Sequence, residues 1–110
     1  MYYELLDRST MKKVSDQIKS IIEQLDIIAD HLYQQKLSKG FELFNSSLLD
    51  ITKLIEVIYL LTKDNKVSFD INRFTDNLDF ALKALEDKDS VLLADVLTFE
   101  ISGQLQELAI

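Results

Sequence analysis

The chain has 110 residues, 47% of them hydrophobic and 28% charged, which is typical of one globular domain and excludes a disordered chain. It has no cysteine, which excludes disulfides, thiol catalysis and cysteine-based metal or iron–sulfur sites. It also has no proline and only two glycines, Gly40 and Gly103, so long helices with short connections are favoured over a turn-rich β fold.

The net charge of −7 is unevenly distributed along the chain. Residues 1–63 carry a net charge of −1, whereas residues 64–110 carry −6. An acidic surface repels phosphate backbones, so we expect no nucleic-acid partner, and solubility is the simplest role of the charge. The first 13 residues contain no apolar run of signal-peptide length, which predicts a cytoplasmic protein.

The first predicted helix covers about residues 10–37, with Ser9 or Thr10 as its N-cap. Residues 1–9 either extend this helix or lie across the bundle. The apolar residues follow a heptad pattern that suits packing at a shallow angle in a bundle. They are Val14, Ile18, Ile21, Leu25, Ile28 and Leu32. A tight reversal is predicted near residues 37–40, where basic residues precede Gly40.

The second predicted helix, about residues 41–62, contains the most apolar stretch of the chain, 44–61. One stripe consists of Phe44, Leu48, Ile51, Ile55 and Ile58, and further apolar residues cover most of the remaining surface. We therefore expect a central core helix around which the others pack. An alternative interpretation is that part of this surface faces a second chain, through Leu49, Val57 and Leu60. The clean apolar run is far shorter than the roughly 20 residues that a membrane span needs.

The third helix is predicted over about residues 70–86. Asp70 is its expected N-cap, and Phe69 and Phe74 have the spacing of a hydrophobic staple. The inner face is predicted to consist of Ile71, Phe74, Leu78, Ala81, Leu82 and Leu85.

The fourth helix, about residues 90–108, is predicted to start at Asp89 or Ser90. Its inner stripe is Leu93, Ala94, Leu97, Ile101, Leu105 and Leu108, with Glu100 and Gln104 at or beside it. Gly103 marks either close helix contact or early fraying. Short connections between long helices make successive helices antiparallel. The prediction is an all-α, antiparallel up-and-down four-helix bundle that forms a single domain over residues 1–110.

The sequence offers little for catalysis. His31 is the only histidine, too few for a zinc hydrolase or a di-iron bundle, and there is no Gly-rich phosphate loop. Asp79 and Asp95 fall away from the predicted inner stripes, where solvent leaves carboxylates with ordinary chemistry. We therefore expect no enzyme, no cofactor and no metal.

Large apolar residues on the outer faces are the more informative feature. Five of them form the predicted partner-binding set: Phe80, Leu92, Phe99, Ile27 and Leu60. Several large apolar side chains ringed by acids are typical of a protein contact patch. Irregular packing against residues 1–9 is the competing explanation.

The string ALKALEDKDSVLLADVLTFEISGQLQEL, residues 81–108, resembles the ending of small uncharacterised helical proteins from Gram-positive bacteria. The shared pattern is an acidic turn, then apolar residues, then an Asp and a Glu on the last helix. The corresponding positions are Asp89, Val91, Leu92, Leu93, Asp95, Leu97 and Glu100. The resemblance covers about a quarter of the chain and implies no activity. In general character, a small acidic bundle is also similar to flagellar and type III export chaperones, although the start YYELL departs from their pattern.

These observations favour a non-enzymatic interaction module, and the similarity to export chaperones implies a chaperone-like role. It would bind a helical segment of a partner or form a homodimer. The alternative is an immunity or antitoxin-type protein whose acidic C-terminal half masks a basic toxin. A third class, a small-molecule-binding bundle, requires an internal apolar cavity.

Overall fold

The computed structural model describes the backbone of residues 2–108 and the side chains of residues 8–108. Four helices form an all-α, antiparallel up-and-down bundle. They are α1 (Tyr2–Tyr33), α2 (Leu37–Lys63), α3 (Ile71–Glu86) and α4. Helix α4 consists of an α-helical piece, Ser90–Asp95, a π-helical turn, Val96–Ile101, and a second α-helical piece, Ser102–Glu107.

Helix α1 begins earlier than the sequence indicated. The backbone is already helical from Tyr2, so Ser9 and Thr10 lie inside the helix and do not cap it. The competing explanation, in which the outward apolar residues pack against residues 1–9, falls mainly on side chains outside those described. The first residues thus extend α1, the first of the two alternatives for this segment.

The reversal between α1 and α2 lies at residues 34–36, ahead of the predicted position. Gln35 adopts a left-handed conformation with a φ of 63°, and Lys36 N–H donates to the carbonyl of His31 at 2.8 Å. This bond closes the α1 terminus in the manner of a Schellman motif. Because Gln35 takes the role that glycine usually has, Gly40 is free to lie inside α2, and the prediction that Gly40 ends the first helix is wrong.

The same turn geometry recurs at the ends of α2 and α3. Asn65 and Lys88 have φ values of 58° and 56°. The next residue in each case donates its N–H to the carbonyl five residues back, at 2.9 Å. Three helices thus end in the same backbone conformation, and none of them has glycine at the left-handed position. This explains how a chain with two glycines and no proline makes three reversals.

The start signals of the last two helices are confirmed. The Asp70 side chain accepts from the N–H of Arg73 at 3.0 Å, and the Asp89 side chain accepts from the N–H of Leu92 at 3.1 Å. The rings of Phe69 and Phe74 lie 5.5 Å apart, which is the predicted staple across the start of α3.

Each helix packs against its neighbours in sequence, and α1 also packs along α4, which closes the bundle. Of the helix pairs that are neighbours in the bundle, α2 and α3 approach each other least closely. The bundle is elongated, 51 × 22 × 20 Å, because α1 and α2 are much longer than α3 and α4. Two hairpins are therefore distinct, a long one formed by α1 and α2 and a short one formed by α3 and α4.

The central helix is α1 and not the apolar stretch of α2. All six predicted seam residues of α1 are buried. On α2, Phe44, Ile51 and Ile58 are buried as predicted, but Leu49, Tyr59 and Leu60 are exposed. The expectation that α2 is buried all round is wrong because α1 covers one side of it and α3 approaches it less closely.

The inner face of α3 differs from the prediction at one position. Leu82 is exposed, and Ala84 is buried in its place beside Ala81. Small side chains allow two helix backbones to approach closely, and α3 packs mainly on α4. The buried face of α3 is therefore turned towards α4, which leaves Leu82 at the open side.

Candidate functional site

The described part of the chain shows no feature of a metal centre or a membrane span. Among these residues no group of three or more His, Asp or Glu side chains is placed to hold a metal ion. No helix in this part is both long enough and apolar enough to cross a membrane. His31 is half-buried near the end of α1.

An open groove of about 450 Å³ runs between α3 and α4. Three of the five predicted partner-binding residues line it, and all three are exposed: Phe80 at 51%, Leu92 at 36% and Phe99 at 69%. Its other lining residues are Val96, Asn77, Asp95 and Glu100. We refer to this feature as the α3/α4 groove. It brings together residues that are up to 23 positions apart in the sequence, Asn77 and Glu100.

The two remaining residues of the predicted set lie elsewhere. Ile27 is exposed and borders a smaller groove of about 180 Å³ between α1 and α2, beside Leu43 and Ser47. Leu60 is exposed on α2. Neither residue lines the α3/α4 groove. Three of the five predicted residues thus lie together at one surface, and the other two lie elsewhere.

The π-helical turn of α4 helps to shape the groove. An α-helix turns about 100° per residue, so apolar residues four apart drift by about 40° at each step. Yet Leu93, Leu97, Ile101 and Leu105 are all fully buried, at 0–1% exposure. A π-helix closes its hydrogen bonds over five residues and is wound less tightly. This turn keeps the four residues facing the core, and Phe99 within it faces outwards.

On the side of α4 that faces α1, Asp95 is hydrogen-bonded to the last residue of α1. The Tyr33 hydroxyl donates to the Asp95 carboxylate at 2.5 Å. The hydrogen bond to Asp95, with partial burial and the charge of the same carboxylate, raises the pKa of Tyr33, while a hydrogen bond with Thr98 opposes this shift. This contact links α1 to the piece of α4 that immediately precedes the π-helical turn.

On the α3 side, Arg73 and Glu100 approach to 3.9 Å, and both side chains are about half exposed. An exposed pair at this separation contributes little to stability. Glu100, which the sequence placed at or beside the inner stripe, is thus at the surface. Gln104 is buried instead, and its Nε2 donates to the backbone carbonyl of Asp70 at 2.8 Å.

Asn77 adds an unsatisfied polar atom to the groove wall. Its side chain lines the α3/α4 groove, and its Nδ2 is shielded from solvent with no hydrogen-bond partner among the described residues. Buried amide groups are nearly always hydrogen-bonded, so this atom is a departure from the rule. Gln104 Oε1 is the other buried polar side-chain atom without such a partner in the described part of the chain.

Sequence reasoning did not identify Asn77 or Tyr33 as parts of this region. Asn77 had an available signal, because it precedes Phe80 by three residues and lies on the same side of α3. The spacing of four along Leu93, Leu97, Ile101 and Leu105 was likewise a signal for a loosely wound turn. Tyr33 had no such signal, since its contact with Asp95 joins residues 62 positions apart.

The chain belongs to the family described as domain of unknown function DUF8042, whose model matches residues 9–110. No curated protein and no solved structure matches the chain.

Proposed function

We propose that this protein is a non-enzymatic interaction module whose α3/α4 groove binds a helical segment of another protein. The observation that carries the proposal is the convergence of Phe80, Leu92 and Phe99, all exposed, around one groove. Exposed aromatic side chains in a concave surface are the usual anchors of protein interfaces.

The shape of the site supports a helical ligand. The groove lies between two helices and is open to solvent, and an amphipathic helix buries its apolar face in such a groove through residues spaced by three and four. Leu92 and Phe99 are seven positions apart, so they present anchors about two helical turns apart on one wall. Phe80 faces them from α3.

The proposed setting is the cytoplasm. The chain contains no cysteine and needs no disulfide, which suits a reducing compartment. The interaction we propose involves no metal, cofactor or nucleic acid, because its affinity comes from apolar burial and from complementary charge.

The test is site-specific photo-crosslinking in the host cell. A photoreactive phenylalanine analogue replaces Phe99 in one variant and Phe80 in another. Matched controls carry it at Leu49 and Leu60, which are exposed on α2 outside the groove. The expected result is crosslinking to another protein from positions 99 and 80 only. Equal crosslinking from all four positions, or none above background from 80 and 99, would contradict the proposal.

Self-association of the chain is a distinct outcome of the same experiment. A crosslink from Phe99 to a second copy would make the groove a homodimer interface. Sedimentation of the Phe80→Ser and Phe99→Ser variants decides this point. If both variants keep the fold and the oligomeric state of the parent protein, the homodimer version fails, and a different partner protein remains.

The second candidate function is that of an immunity or antitoxin-type protein, favoured by the charge of −6 on residues 64–110. An acidic mask acts mainly through long-range attraction, so its affinity falls steeply with salt and survives Phe99→Ser. Groove binding loses a smaller part of its affinity in salt, because apolar burial contributes to it, and it is lost in that variant. Measuring the affinity of a captured partner at two salt concentrations, with and without Phe99→Ser, separates these functions.

A further inference from the structure

We infer that the occupant of the α3/α4 groove is a basic amphipathic helix that also brings a hydrogen-bond acceptor to Asn77. This inference rests on the proposed function, because it specifies the chemistry of the partner at the same site. Three observations carry it: the acids at the groove, the charge that a second copy would bring, and the unpartnered amide of Asn77.

The charged side chains lining the groove are acidic. Asp95 and Glu100 both line it, one before and one after Phe99 in the sequence, and Asp95 also accepts the Tyr33 hydroxyl. Arg73 contacts Glu100 at 3.9 Å, but both side chains are half exposed, so the pair is weak and readily exchanged. Residues 64–110, which contain the whole α3/α4 hairpin, carry ten acids and four bases. Lysine or arginine side chains flanking an apolar face complement this arrangement.

The same charge disfavours a second copy of this chain as the occupant. Two copies that meet through the same face form an isologous contact, in which each surface meets its own duplicate. The acidic hairpin of one copy would then face the acidic hairpin of the other. Like charges in an interface suppress association. A basic helix from a different protein avoids this penalty and gains from the same carboxylates.

Asn77 specifies a polar feature of the occupant. Its Nδ2 has no partner among the described residues, although the side chain lines the groove. The terminal torsion of an asparagine side chain is soft, so the amide can turn towards the groove without movement of α3. An acceptor oxygen on the ligand then supplies the missing hydrogen bond. A purely apolar ligand would leave the donor unpaired and bind less well.

The experiment is selection from a displayed library of helical peptides of about 15–20 residues, long enough to form a helix. Leucine is fixed at helical spacing on one face, and the other positions vary among lysine, glutamate, glutamine, serine and alanine. Peptides are selected for binding to the full chain and counter-selected against Phe99→Ser. We expect the selected peptides to be enriched in lysine and to carry a conserved glutamine or serine beside the leucine face.

Variants of the protein then assign each preference to a residue. Asp95→Asn combined with Glu100→Gln is expected to weaken a selected lysine peptide several-fold and to reduce its salt dependence. Asn77→Leu is expected to abolish the advantage of the peptide with the acceptor over the same peptide with alanine there. Leu49→Ser, an exposed site outside the groove, is the control and should bind like the parent protein.

The outcomes separate this inference from the proposed function. Selected peptides that need Phe99 but show no excess of lysine would overturn the basic-helix inference and leave groove binding intact. Retention of the acceptor preference in Asn77→Leu would overturn the role of Asn77. A library that yields no peptide dependent on Phe99 would overturn both the inference and the proposed function.

Discussion

The two hairpins of this bundle differ in how they use their apolar residues. The long α1/α2 hairpin contains the uninterrupted α1 seam and most of the large buried side chains, with nearly balanced charge. The short α3/α4 hairpin carries most of the net charge and presents Phe80, Leu92 and Phe99 at its surface. Both hairpins contribute to the core and both expose large apolar side chains. The short hairpin differs because three of its exposed side chains line one groove beside acidic residues, an arrangement that a binding function would explain.

The two hairpins also differ in backbone geometry. Helix α2 remains α-helical throughout its 27 residues, whereas α4 changes to a π-helical turn after six residues. π-helical turns are rare and frequently occur at functional sites. The irregular helix is the one that carries Phe99. This irregularity fits the groove binding that we propose for the short hairpin.

The largest expected effect comes from a cavity in the long hairpin. Ile58 is fully buried on α2, so Ile58→Ala should lower the free energy of unfolding by about 2–5 kcal/mol. Urea denaturation measures this change. Leu60→Ala, two residues away and exposed, is the matched control, with an expected change within about 0.5 kcal/mol. Equal effects of the two substitutions would contradict the placement of the core.

The next largest effect is expected at the close contact between α1 and α2. A Cβ at Gly40 would lie 2.5 Å from Leu32 Cδ2, and Leu32 is fully buried with little freedom to move. We expect Gly40→Ala to destabilise the protein by about 1–3 kcal/mol through overpacking. Thermal denaturation measures the loss. An unchanged melting temperature would show that the two helices are less closely packed than described.

Replacing Gly103 in the short hairpin is expected to change stability in the opposite direction. A Cβ at this position has no neighbouring atom within 4 Å, so close helix contact does not account for the glycine. Alanine is the better helix former, and Gly103→Ala should stabilise the protein by about 0.5–1 kcal/mol. Denaturation of both variants shows whether the two substitutions change the free energy of unfolding in opposite directions. Destabilisation by Gly103→Ala would indicate that the end of α4 requires glycine for another reason.

A similarly small effect is expected at a hydrogen bond between the two hairpins. Tyr33→Phe removes the hydrogen bond to Asp95, and because Tyr33 is 43% exposed we expect a loss of only about 0.5–1 kcal/mol. Asp95 raises the pKa of Tyr33, so the folded protein holds this proton more tightly than the unfolded chain. The contribution is therefore complete below about pH 10 and is lost as the pH rises through the pKa of the folded state.

This pH dependence is measured as the difference in unfolding free energy between the parent protein and Tyr33→Phe. The difference should be constant near neutral pH and shrink above about pH 10, where the hydroxyl ionises. Thr52→Ala, at an exposed hydroxyl on α2 that bonds its own helix, serves as the control. A difference that grows with pH would show that the sign of the coupling is wrong.

Local sequence determined the helices, the starts of the last two and much of the core. The α1 seam, the caps Asp70 and Asp89 and the Phe69–Phe74 staple depend on residues a few positions apart, so periodicity and capping chemistry predict them. The bundle topology followed from short connections. The three outward residues of the short hairpin were also predictable, because a helical period assigns each residue to a face.

Tertiary structure decided which apolar faces are covered. Leu60 and Leu82 are exposed and Ala84 is buried because α3 lies close to α4 and away from α2, a choice that no local pattern contains. The early turn at Gln35, the central position of α1 and the contact of Tyr33 with Asp95 likewise depend on packing between distant segments. Helical periodicity specifies the directions of side chains, but only the neighbouring helix determines which of them meet protein and which meet water.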